Sequence, residues 1–176
     1  MRIVSGSLKG RQIFTPKNSS VRPTTDKVRA AIYSKLFDFT EGAVILELFA
    51  GTGAFGVEGI SRNASRVVFV DKDITILQKN VKLLDKKEYT IVKKDALKFI
   101  EGTQESFDII FIDPPYGEFK PEELLKLIKE KEVLAKDGYL IYEESKRTAF
   151  SDDMPYTLED VKSYGDTKIY YYRNEL

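Results

Sequence analysis

Neither cysteine nor histidine occurs among the 176 residues. Without cysteine there are no disulfides, thiolate zinc sites or thiol nucleophiles, which suits a reducing cytoplasm. Without histidine, Ser-His and Cys-His hydrolase arrangements are excluded, with most transition-metal sites and the commonest general base near neutral pH. An enzyme built from this chain works with carboxylates, backbone groups, tyrosine or a cofactor, and no metal is expected. Long apolar runs are missing too. No stretch approaches 18 apolar residues and MRIVSGSLKG lacks a signal-peptide core, so a soluble cytoplasmic protein with no membrane partner is expected. Only six prolines and eleven glycines accompany 42% hydrophobic and 32% charged residues, which excludes disordered and fibrous classes. The length fits one domain, and a monomer is the expectation.

A net charge of zero conceals an asymmetry. Residues 1 to 29 carry seven basic side chains against Asp26 alone, net +6, which leaves −6 for the remainder. Residues 1–24 are expected to form a basic arm, preceding a catalytic domain over 25–176. A basic arm before a mildly acidic body suggests a polyanion partner, although charge alone fits a solvated loop equally well.

Residues 2 to 5 and 11 to 14 (RIVS and RQIF) flank a Gly/Ser/Lys turn and predict a small β-hairpin, followed by a loop through KNSSVRPTT. Thr25 or Asp26 can cap the helix DKVRAAIYSKLFDF, where Val28, Ile32, Leu36 and Phe39 recur at helical spacing. Strands are expected at 44–49, 67–71, 89–93, 108–113 and 138–144, with helical segments at 73–86, 95–101 and 121–134. Parallel strands need crossover connections, so these units make an open, doubly wound α/β sheet with helices on both faces. In MPYTLEDVKSYGDTKIYYYR two strand-like segments meet at Gly165 and Asp166 with no helix between. They must pair antiparallel, which gives a mostly parallel seven-stranded sheet ending in a hairpin.

In such sheets ligands bind beyond the carboxyl ends of the strands. The first strand runs into ELFAGTGAFG, with Gly51, Gly53 and Gly56 in G-x-G-x-x-G register, where missing β-carbons let backbone approach a ligand. Asp71 ends the second strand, 20 residues after Gly51, suitably placed to accept hydrogen bonds from ribose hydroxyls. A dinucleotide and S-adenosylmethionine share this geometry. Glu47 favours the second, because a carboxylate there repels pyrophosphate and attracts the methionine ammonium. Asp95 can accept from the adenine amine, with the Ala96 amide facing the ring, or it can simply cap the following helix. The candidate cofactor set is Glu47, Phe49, Gly51, Gly53, Asp71, Lys72, Asp95 and Ala96.

The fourth strand ends in Asp113-Pro114-Pro115-Tyr116, the candidate catalytic turn. Two prolines fix two φ angles and present a carboxylate, a carbonyl and an aromatic ring together. An exocyclic amine on a planar base is a poor nucleophile because its lone pair is delocalised into the ring. Hydrogen bonds from its two N–H groups to Asp113 and the Pro114 carbonyl would localise that pair, while Tyr116 stacks on the base.

Taken together, RIVSGSLKGR, RPTTDKVRAAIYSKL, ELFAGTGAFGVEGISRNAS, VFVDKD and DPPY resemble the RsmD-like methyltransferases nearly end to end. That family methylates the N2 amine of a guanine in small-subunit ribosomal RNA, using S-adenosylmethionine. The resemblance implies a class I Rossmann-like methyltransferase fold, a ribosomal RNA or small-subunit partner, and Arg22 to Thr24 beside the site. Arg2, Lys9, Arg11, Arg22 and Thr24 are the candidate RNA contacts. Glu47 stands where the family more usually has Asp, Asp71 for Glu, Asn63 for Gly and Ala30 for Glu. Related turns serve adenine-N6 and protein-amide methyltransferases, and the glycines alone would serve a dinucleotide-binding oxidoreductase.

Overall fold

The computed structural model describes residues 1–17 and 25–175. Five strands lie parallel: β1 (Val44–Leu48), β2 (Arg66–Asp71), β3 (Tyr89–Lys93), β4 (Phe107–Ile112) and β5 (Leu134–Ser145). β6 (Thr157–Tyr164) and β7 (Thr167–Arg173) form the expected hairpin, and β7 also pairs antiparallel with β5. The sheet order is β3-β2-β1-β4-β5-β7-β6. Chain direction across the sheet reverses at β1, so its carboxyl end and that of β4 border the crevice where α/β sheets bind ligands.

Strand alternation builds two cores. Ile45, Val67, Phe69, Ile109 and Phe111 face α1 (Asp26–Leu36), α2 (Ala54–Ser61) and α3 (Thr75–Asn80). Leu46, Leu48, Val68, Val70, Ile110 and Ile112 face α4 (Ala96–Gly102) and α5 (Pro121–Glu130). Both faces are covered, which is why these strands read as continuous apolar runs. Thr25 caps α1 by accepting from the Val28 amide at 3.2 Å.

Three expectations need correction. The amino-terminal hairpin turns back as expected, but only Arg2 and Gln12 pair as a β-bridge. The Val4 and Ser5 amides donate instead to the Glu58 carboxylate, at 2.9 and 3.0 Å, while Ile3 and Ile13 enter the α1/α2 core. The helix expected over 73–86 is α-helical only at 75–80, then tightens into a 3-10 turn at Val81–Leu83 before Leu84 extends. The helix expected to reach 134 stops at Glu130, because Glu132 adopts φ 55° and turns Val133 and Leu134 into the sheet. β5 therefore starts four residues early and carries a bulge, where its register with β4 shifts between Phe107 and Ile109.

Candidate active site

The loop after β1 is fixed by backbone and carboxylate bonds before any ligand is considered. The Ala50 amide donates to the Val70 carbonyl at 3.1 Å, the Gly51 amide to Asp71 Oδ2 at 2.7 Å, and the Gly53 amide to the Ala50 carbonyl at 2.8 Å. Gly51 and Gly53 adopt φ 56° and 78°, the left-handed region that glycine enters without strain. Around Gly51 a β-carbon would meet only the Phe49 carbonyl oxygen at 4.0 Å, so the loop is open there. At Gly53 it would fall 2.5 Å from Leu77 Cδ1 and 3.2 Å from Phe69 Cε1. The protein's own packing thus requires that glycine.

Glu47 lies beneath the loop, 4% exposed, and accepts from the Gly56 amide at 2.8 Å in the first turn of α2. Burial pushes its carboxyl up to about 8, helped by the nearby Asp71 charge and opposed by the Gly56 hydrogen bond. Asp71 accepts from the Gly51 and Asp73 amides at 2.7 and 3.1 Å, which leaves further lone pairs for a ligand. Asp95 does two things at once. Its Oδ2 caps α4 by accepting from the Lys98 amide at 3.3 Å, and its Oδ1 lies 3.6 Å from Lys72 Nζ.

Phe49, Asp71, Lys72, Asp95 and Ala96 meet around a cleft of about 140 Å³, together with Pro115, Glu118 and Phe119. The Phe49 and Phe119 rings stand 4.9 Å apart. This volume is below the roughly 300–1,000 Å³ of a complete ligand pocket. Glu47, Gly51 and Gly53 do not line the cleft. Glu118 and Phe119 were missed in the sequence. A phenylalanine three residues beyond the Pro-Pro-Tyr turn was the available signal.

Beyond Ile112 the turn carries Asp113 half-buried, Pro114 buried, and Pro115 and Tyr116 exposed. The Glu118 amide donates to the Pro115 carbonyl at 3.3 Å, and Tyr116 Oη lies 3.0 Å from Thr167 Oγ1 at the start of β7. The Tyr116 hydroxyl is thus tied to the antiparallel hairpin, with the residue 45% exposed. A larger cavity of about 540 Å³ lies beyond β5, lined by Phe150, Tyr156, Lys168, Tyr170 and Tyr172. It holds none of the residues singled out from the sequence.

The side chains of Arg2, Lys9 and Arg11 are exposed and enter no ion pair among the described residues. The Arg2 backbone is held at both ends, its amide by Asp26 at 3.2 Å and its carbonyl by the Arg29 guanidinium. Arg22 and Thr24 lie outside the described residues.

The family model described as "Conserved hypothetical protein 95" matches residues 1–173. A candidate rRNA methyltransferase of Bacillus subtilis (strain 168), YlbH, is 35% identical over 98% of this chain and 98% of its own. The Ribosomal RNA small subunit methyltransferase D of Escherichia coli (strain K12) is 34% identical over 82% of this chain and 74% of its own. Among solved structures, a candidate methyltransferase of Escherichia coli, yhhF, superposes with TM-score 0.86 at 28% identity, covering 99% of this chain and 98% of its own. The chain belongs to the Conserved hypothetical protein 95 family, the RsmD-like methyltransferases that its motifs resemble, and has their α/β fold.

Proposed function

We propose that the protein transfers the methyl group of S-adenosylmethionine to the exocyclic N2 amine of a guanine in small-subunit ribosomal RNA. One observation carries this reading. Pro115 lines the cleft of Phe49, Asp71 and Asp95 and is also the third residue of the Asp113–Tyr116 turn, so cofactor and amine sites adjoin. The donor set of the cleft fits a nucleoside: carboxylates for ribose hydroxyls and an adenine amine, the Ala96 amide for the ring, and the Phe49–Phe119 pair as one apolar wall. Gly51 and Gly53 shape the floor beside it, and Glu47 holds that floor from below through Gly56.

S-adenosylmethionine bound there supplies an electrophilic methyl group on a good thioether leaving group. Asp113 and the Pro114 carbonyl accept the two amine hydrogens and localise the nitrogen lone pair. Pro115 keeps the turn rigid, and Tyr116 stacks on the base. The amine would give up its proton to solvent after accepting the methyl group, so no histidine is required. Arg2, Lys9 and Arg11 would contact RNA phosphates, joined by Arg22 and Thr24. A guanine inside a stem has to be extruded at a modest cost, which favours a structured RNA or a ribonucleoprotein as substrate. The names of the Escherichia coli and Bacillus subtilis relatives support an rRNA acceptor.

Mass mapping of ribosomal RNA from cells with and without this protein tests the reading. One N2-methylguanine should vanish from small-subunit RNA. If ribosomal RNA is unchanged and N6-methyladenine in DNA or a methylated protein amide vanishes instead, the acceptor is wrong.

A further inference from the structure

Phe14 is an aromatic side chain that the fold holds away from its own core. It is 60% exposed, whereas its neighbour Ile13 is 2% exposed and packs against α1 and α2. The cause is Asn80, itself 1% exposed at the end of α3. Its Oδ1 accepts from the Phe14 amide at 2.8 Å and its Nδ2 donates to the Phe14 carbonyl at 3.0 Å, so one side-chain amide pairs with both backbone groups of Phe14. The same Nδ2 donates to the Thr52 carbonyl at 2.8 Å, inside the glycine loop. All hydrogen-bonding directions of the Asn80 amide nitrogen are thereby used. That pair fixes the direction of the Phe14 Cα–Cβ bond, and it fastens the backbone beside the loop that borders the cofactor cleft.

Lone exposed apolar residues are common and carry no message by themselves. Phe37 shows the contrast: it is 75% exposed but follows α1, between Leu36 and Asp38, and precedes the amino end of β1, opposite the ligand crevice. Phe14 combines a fixed backbone with exposed Lys9, Arg11 and Lys17 on either side of it in the chain. An aromatic face among cations is the arrangement on which unpaired bases stack while phosphates are neutralised, and stacking is tolerant of base identity.

We infer that Phe14 is a stacking platform for an unpaired base of the RNA substrate, held outward by Asn80; this rests on the functional reading above. The stacked base would be a neighbour of the methylated guanine, since Tyr116 serves the guanine itself.

The chain contains no tryptophan, so Phe14→Trp introduces a single indole reporter at an exposed position. Titrated with protein-free small-subunit ribosomal RNA, its emission should be quenched saturably over the range in which filter retention records binding. Phe14→Ala should raise the KM for that RNA about tenfold, the effect of one lost base stack, with kcat, S-adenosylhomocysteine affinity and the salt dependence of RNA binding close to the parent's. RNA that is retained and methylated while the indole emission stays constant overturns the inference alone, as does an unchanged KM in Phe14→Ala. Where the parent chain acts only on the ribonucleoprotein particle, the same measurements are made with the particle; if neither protein-free small-subunit RNA nor the particle is retained or methylated, the functional reading falls and this inference with it.

Discussion

The Glu58 carboxylate and the Arg29 guanidinium meet at 3.0 Å with both side chains fully removed from solvent. Glu58 also accepts from Arg62 Nε at 2.8 Å and from the Val4 and Ser5 amides, while Arg29 reaches the Arg2 carbonyl and Asp26. One buried carboxylate therefore fastens α1, α2 and the amino-terminal segment together. The proposed RNA contacts Arg2, Lys9 and Arg11 project from a segment whose shape is set by this pair.

Removing one member of a buried ion pair leaves the other charged and unpaired, which costs about 3–5 kcal/mol. Glu58→Ala should lose that much stability in urea unfolding and expose Lys9 and Arg11 to trypsin faster than in the parent. Replacing Arg29 and Glu58 together with apolar residues of similar volume should recover only part of the loss, because the Val4 and Ser5 amides stay without an acceptor. Full recovery in the double variant would mean that Glu58 serves Arg29 alone.

Glu47 makes a prediction in pH. Its carboxyl is raised from 4.5 to about 8 by burial first and by Asp71 second. The folded protein thus keeps a proton that the unfolded chain has released between those values. Its contribution is complete below about pH 4.5, drains as pH rises, and is gone once pH passes about 8. Glu47→Gln keeps an oxygen for the Gly56 amide and cannot ionise. The stability of the variant minus that of the parent should rise across this window, by up to several kcal/mol. Urea midpoints at pH 5, 7 and 9, near the lower edge of the window, within it and about one unit beyond it, measure the change. A difference that does not change with pH would show that Glu47 titrates normally.

Strands β1, β2 and β4 were legible because strands buried on both faces are almost continuously apolar, and the closing hairpin because Gly165 adopts the φ of 57° that a tight turn favours. The early start of β5 was hidden. Glu132 and Asp137 adopt φ 55° and 63°, and neither residue type announces a break as glycine does. Asp71 was readable because it closes a strand, and Asp95 and Ala96 because they follow one closely. Glu58 and Asn80 were not, since a carboxylate or amide inside a helix reads as a solvated face until distant backbone groups are seen to need it. The Thr52–Asn80 bond crosses 28 residues and the Phe14–Asn80 bonds cross 66, spans that no local pattern reports.

Asp71 joins the glycine loop to the proposed ribose site. Asp71→Ala removes the acceptor for the Gly51 and Asp73 amides as well as the ribose contacts. Hydrogen bonds to a charged group are worth about 1.5–3 kcal/mol each, so S-adenosylhomocysteine affinity should fall at least tenfold. Asp71→Asn, which retains one acceptor oxygen, should lie between the two. Calorimetric titration gives these affinities, and NAD should give no heat with any of the three proteins. Unchanged S-adenosylhomocysteine affinity in a folded Asp71→Ala protein would remove Asp71 from the site.

The Asp113–Tyr116 turn separates chemistry from binding. Asp113 is assigned to the amine as it becomes tetrahedral, while the cleft of Phe49, Asp71 and Asp95 is assigned to the cofactor, so Asp113→Ala should cost turnover and leave S-adenosylhomocysteine affinity nearly intact. Deleting one preorganised group aimed at the reacting centre slows other enzymes on the order of a hundredfold or more, and the same is expected here. Tyr116→Ala should lose base stacking, about 1–3 kcal/mol, and act chiefly on productive RNA binding. Tyr116→Phe keeps the ring and gives up the hydroxyl contact with Thr167 Oγ1 at 3.0 Å, so its transfer rate should stay near the parent's. Single-turnover methyl transfer at saturating cofactor distinguishes these effects. If Asp113→Ala transfers methyl at the parent rate, the amine is not activated by this carboxylate. If Tyr116→Phe is as slow as Tyr116→Ala, the tie to Thr167 that orients the ring matters more than the stacking face itself.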